Sequence, residues 1–140
     1  MKSRVLLLLF LLAGMALQAQ VADISGTWTM YEMIWTSGEG VNATNEDQLK
    51  DQGMMSEYDF MPDGNLKLVS NMTGSGQMET MEGTWNLEGD KLTISFKMGE
   101  NVADIVWDFE LKDDHIHLKR SSPDGSTSVV NSFKRKGQEE

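Results

Sequence analysis

The stretch KLTISFKMGENVADIVWDFEL, Lys91–Leu111, decides the class of fold. In its first half Leu92, Ile94, Phe96 and Met98 alternate with Lys91, Thr93, Ser95 and Lys97. In its second half Ala103, Ile105, Trp107, Phe109 and Leu111 alternate with Asp104, Val106, Asp108 and Glu110. A period of two with one apolar face describes a half-buried strand, because successive side chains on extended backbone point to opposite sides. Working outward, the same texture predicts strands at 26–35, 57–61, 66–72, 77–87 with a break or bulge at Gly83, 91–98, 103–111, 116–120 and 127–135. Between them stand turn signals, PDGN (Pro62–Asn65), TGSG (Thr73–Gly76), EGDK (Glu88–Lys91), KDDH (Lys112–His115) and PDGS (Pro123–Ser126). Asp-Gly and Pro-Asp pairs suit tight reversals. The tail KGQEE is expected to fray.

Strands joined in sequence by short turns form a meander, and an open meander of this size exposes two edges. Closure removes them, so the expectation is all-β: an eight-stranded antiparallel up-and-down β-barrel. A barrel of eight strands is either filled by side chains or holds one small ligand. One connection is too long for a hairpin, TSGEGVNATNEDQLKDQGMMS from Thr36 to Ser56. It predicts a long loop or short helix between strands 1 and 2. Thr44 or Asn45 would cap a helix over 46–52, with Gly53 as its stop. It is read either as a lid or as a packing loop.

The chain opens MKSRVLLLLFLLAGMALQAQ. A basic start, a short apolar run and a region ending in small residues describe a secretory signal peptide over 1–19, followed by one domain over 20–140. The run is short for a transmembrane span. With no Cys in the chain, a lipid-modified N-terminal cysteine, disulfides and thiolate metal sites are all ruled out. The expectation is an exported protein, periplasmic or extracellular after cleavage, and not a lipoprotein. The formal net charge is −10, from 22 acidic and 12 basic residues. Such a surface repels nucleic acid and anionic lipid, so neither is expected as a partner.

Gly26-Thr27-Trp28, Phe60-Met61-Pro62-Asp63-Gly64, Gly83-Thr84-Trp85, Asp90-Lys91-Leu92-Thr93-Ile94 and the ending NSFKRK occur in the order found in one family. Together they resemble the lipocalin-like domain of exported bacterial proteins, a calycin-type barrel, over essentially the whole mature chain. The resemblance implies a β-barrel that binds a small apolar or amphipathic molecule. It also implies that an Arg from a late strand packs over Trp28 at the closed end. Arg135 is the first candidate for that role and Arg120 the second. Gly26, Trp28, Gly83, Trp85 and Arg135 form the structural signature. The Arg-x-Tyr pair with which fatty-acid-binding proteins hold a carboxylate is missing, since Lys136 and Gly137 follow Arg135.

Alternation proposes Met30, Tyr58, Phe60, Leu68, Met78, Leu92, Phe96, Trp107 and Phe109 as cavity-lining residues. Arg120 continues the inward phase of Ile116 and Leu118 and is a candidate for an anionic headgroup. Nine Met fall outside the leader. They fill the core, line an adaptable pocket, or (at Met54-Met55 and Met78-x-x-Met81) offer soft ligands to Cu(I). Core filling is the plainest of these, and no metal or other cofactor is expected. His115 and His117 share a strand face opposite Ile116 and Leu118, so both are expected outside. Glu32 follows Trp28 and Met30 in phase. Either it meets a polar ligand group inside, or the strand bends and turns it out; the apolar Tyr31, Met33 and Trp35 favour the bend. No nucleophile–base–orienter set and no Gly-rich phosphate loop is present, so an enzyme is not expected. The alternative to a binding barrel is a structural or interaction domain with a filled core.

Overall fold

The computed structural model describes residues 24–72 and 76–137. The signal peptide, its cleavage point and most of the TGSG turn lie outside the described residues, as do the last three residues of the tail. Among the described residues nine strands form: β1 (Gly26–Ser37), β2 (Gly40–Thr44), β3 (Ser56–Phe60), β4 (Asn65–Ser70), β5 (Glu79–Glu88), β6 (Lys91–Met98), β7 (Asn101–Lys112), β8 (His115–Ser121) and β9 (Ser128–Arg135). A short helix, α1 (Glu46–Asp51), lies between β2 and β3.

Every pairing is antiparallel. From β3 to β9 each strand pairs with the next, and β1 joins β3 to β9 to close an eight-stranded up-and-down barrel. The ninth strand, β2, lies outside this count. It forms a hairpin on the far half of β1, from Met33↔Thr44 to Ser37↔Gly40. The segment expected as loop or helix therefore holds both a strand and a helix. GVNAT carries no apolar alternation; it pairs because β1 runs on past the end of β3 and offers a free edge.

Helix α1 starts on a capping box. Gln48 N–H donates to Asn45 Oδ1 (3.0 Å), and Asn45 N–H donates to Gln48 Oε1 (2.9 Å). Leu49 buries in the core, and Lys134 of β9 grips Glu46 at 3.0 and 2.8 Å, tying the helix to the wall. These contacts from Lys134, and then Lys50, hold the Glu46 carboxyl below its ordinary range. The linker after the helix is clamped to the end of β4: Asn71 Oδ1 accepts from Met55 N–H (2.8 Å), and its Nδ2 donates to the Gly53 carbonyl.

Two departures from strict alternation position the interior. Along β1, the register to β9 shifts between Met30↔Phe133 and Glu32↔Ser132, a β-bulge at Tyr31. Trp28 and Met30 face inward before the bulge. After it Met33 and Trp35 share the inner phase with Asn131 and Val129, and Glu32 turns out. The strand thus bends as its two apolar faces suggested. At Gly83 the expected break is absent: β5 pairs continuously with β4 and β6. Glycine is required there for a different reason. A Cβ would stand 2.2 Å from the Ser95 carbonyl oxygen and 2.9 Å from Phe96 Cδ1.

Candidate functional site

The closed end is solid. Trp28 is 0% exposed and donates its indole N–H to the Ile24 carbonyl (2.9 Å). Arg135 lies over its ring, Cζ 4.4 Å from the centroid, and donates to the Ser25 carbonyl (3.1 Å) and to Asp114 (3.3 Å). Gly26 lies beside the guanidinium at φ +120°, a backbone conformation that other residues rarely adopt. The second Gly-Thr-Trp performs a parallel task. Trp85 donates its indole N–H to the Met61 carbonyl (3.0 Å) and meets Phe60 edge to face at 5.6 Å. Phe60, Leu66, Leu92, Ile116 and Phe133 are buried around these anchors.

Above this floor the walls change character. Met33, Met81, Ala103, Ile105, Val129 and Asn131 all belong to the inner face by register, yet each stays partly exposed. These side chains reach solvent, so the end opposite Trp28 is less tightly covered than the floor. Trp35, opposite Val129 and 49% exposed, stands at that end. Arg120, also opposite Val129, lies over Trp107 with Cζ 5.4 Å from the ring centroid. Trp35, Arg120, Val129 and the β8–β9 hairpin line a depression of about 260 Å³. That hairpin is held by Asp124, whose carboxylate accepts from Ser122 and Ser126 and is thereby lowered to about 2.

Of the proposed lining residues, Met30, Tyr58, Leu68, Phe96 and Trp107 are inward and nearly buried. Phe60 and Leu92 are inward but belong to the packed floor. Phe109 packs partly buried against the core and also borders an outer depression with Asp108, Glu110 and His117. Met78 is a correction. It precedes β5, which starts at Glu79, and it is 52% exposed; the alternation projected through it had no strand to run along. Arg120 is inward by phase and exposed by position, because β8 ends at the rim. Tyr58 stacks between Phe60 (5.8 Å) and the edge of Phe133 (5.2 Å), and burial pushes its hydroxyl up to about 12. Both His lie on the outer face: His115 against Tyr31 at 5.1 Å, and His117 with Nδ1 2.8 Å from Ser132 Oγ. Among the described residues, no group of three or more His, Cys, Asp or Glu could hold a metal ion. Also among them, no helix is long and apolar enough to cross a membrane.

Sequence reasoning missed Asn131. It stands opposite Leu118 on one side and Met33 on the other, on the inner face. Its Oδ1 is buried and has no hydrogen-bond partner among the described residues. Counting back in twos from Phe133 would have placed it inside.

The family model of the lipocalin-like domain matches residues 24–118. Among solved structures, a lipocalin-like protein from Bacteroides uniformis is 14% identical, covering 81% of this chain and 98% of that one, with a TM-score of 0.51. An uncharacterized protein from Bacteroides eggerthii is 16% identical over 77% of this chain and 97% of that one, at 0.47. The fluorescent protein UnaG is 17% identical over 82% and 98%, at 0.45. No curated protein matches the sequence.

Proposed function

We propose, from the premise that this chain belongs to the lipocalin-like domain family, that it binds one small apolar or amphipathic molecule inside the barrel. The supporting observation is the contrast between the two ends. The floor around Trp28 is packed, while inner-face Met33, Met81, Ala103, Ile105 and Val129 keep surface exposed. Concave apolar sites with a few polar groups are where small molecules bind. Met side chains let such a wall adapt to the shape of its occupant. Arg120 at the rim supplies a cation for an anionic end group, its guanidinium already oriented by Trp107.

In this reading the protein carries its ligand. It acts outside the cytoplasm, as the leader at 1–19 implies. Native mass spectrometry of protein purified from its own host tests the binding reading by the mass of a co-purified molecule. Repeated absence of such a mass, with no uptake of a fluorescent apolar probe, refutes it. An N-terminus near residue 20 on protein recovered outside the cytoplasm tests export; an intact leader there would count against it.

A further inference from the structure

We infer that Asn131 reads a hydrogen-bond donor on the ligand, so that the natural occupant carries an N–H or O–H group at mid-depth instead of a plain hydrocarbon chain. This inference rests on the binding reading and narrows the class of molecule. Three observations meet at the residue. First, register puts Asn131 on the inner face, one step from Phe133 of the floor and one step from Val129 of the opposite end. Second, its flanking partners across the wall, Leu118 and Met33, are apolar, so the wall itself offers the amide nothing. Third, Oδ1 is buried with no partner among the described residues.

An unmatched buried acceptor destabilises a fold, and an apolar residue of the same size would relieve it. Leu would suit the Leu118–Met33 row better than Asn on packing grounds alone. An amide there answers a demand of a bound molecule. Met33, unbranched and only partly buried, can swing aside to let a ligand donor reach the oxygen. A ligand donor at Asn131 leaves its remaining apolar body to Phe96, Trp107 and Met30.

The test uses the mature protein and two probes of equal chain length, dodecanamide and N,N-dimethyldodecanamide. Both keep the carbonyl acceptor; only the first has N–H donors. Affinity is read by displacement of a fluorescent apolar dye. Wild type is expected to favour dodecanamide by about tenfold, the worth of one hydrogen bond, and Asn131→Leu to bind the two alike. Equal affinity of wild type for both, or undiminished discrimination by Asn131→Leu, overturns the inference while leaving the binding reading intact. Failure of dye and both amides to bind wild type sinks the binding reading and this inference with it. A second measurement needs no ligand: unliganded Asn131→Leu is expected to melt a few degrees higher. A lower melting temperature would assign Asn131 to holding the fold and overturn the inference.

Discussion

Removing the guanidinium that covers the barrel floor, by Arg135→Ala, is expected to lower stability by about 2–3 kcal/mol. The structure supplies the parts. The cation over a fully buried Trp28 at 4.4 Å contributes about 1 kcal/mol. The charged hydrogen bond to the Ser25 carbonyl at 3.1 Å contributes about 1.5 kcal/mol, and its loss leaves that carbonyl without the guanidinium. The contact with half-exposed Asp114 at 3.3 Å adds little, as exposed ion pairs do. At about 4 °C per kcal/mol for a domain of this size, thermal unfolding followed by circular dichroism should show a fall of about 10 °C. Arg135→Lys keeps the charge but loses the planar fork, and should recover less than half of the loss. Arg120→Ala is the control: its guanidinium is exposed and farther from its ring, so the melting temperature should move by about 2 °C or less. An Arg135→Ala protein melting within 2 °C or so of wild type, or a lysine that fully replaces the arginine, would refute this account of the floor.

Three further outcomes are expected. Gly83→Ala should lower the urea midpoint by an amount equivalent to about 3 kcal/mol, since its methyl meets the Ser95 carbonyl oxygen at 2.2 Å; an unchanged midpoint would mean β5 and β6 part without penalty. Burial raises the Tyr58 hydroxyl from 10.0 to about 12, so the unfolded chain ionises first and stability falls as pH rises through that interval, by about 2–3 kcal/mol at its top. Tyr58→Phe should flatten that decline, and parallel alkaline profiles for the two proteins would contradict it. Asp113 and Asp114 both hold positive φ (53° and 59°) in the two-residue β7–β8 turn. Asn is favoured at the first of these positions, so Asp113→Asn should raise the melting temperature by about 2 °C, and a fall would count against the turn assignment.

The barrel was legible where side chains alternate cleanly, as in Lys91–Met98 and Ala103–Leu111, because burial on one face selects for that pattern. The floor was legible too: Trp28 and Arg135 stand as the family resemblance implied. β2 was not legible, since the side chains of Gly40–Thr44 are largely exposed and carry no apolar alternation. Met78 misled because period-two counting does not reveal where a strand begins. At the candidate site, Trp35 could be assigned inside only once the bulge was located, as its phase is opposite to that of Trp28 and Met30. The orphaned acceptor of Asn131 depends on neighbours from two other strands, β1 and β8, which no linear pattern displays.

The extra residue at Tyr31 acts on β1 as a shifted reading frame acts on a message. Upstream, even-numbered positions face the interior; downstream, odd-numbered ones do. Floor and opposite end are thereby written in separate frames of a single strand. Substitutions at Met33 and Trp35 can reshape the end opposite Trp28 without touching the letters that seal the floor. Excising Tyr31 would remove the bulge yet leave Met33 opposite Asn131 and Trp35 opposite Val129, both still inward; ironing the bulge out at constant length would instead turn Glu32, Ile34 and Thr36 inward. That face of β1 would then exchange a thioether and an indole for a carboxylate, an isoleucine and a hydroxyl with no change in composition.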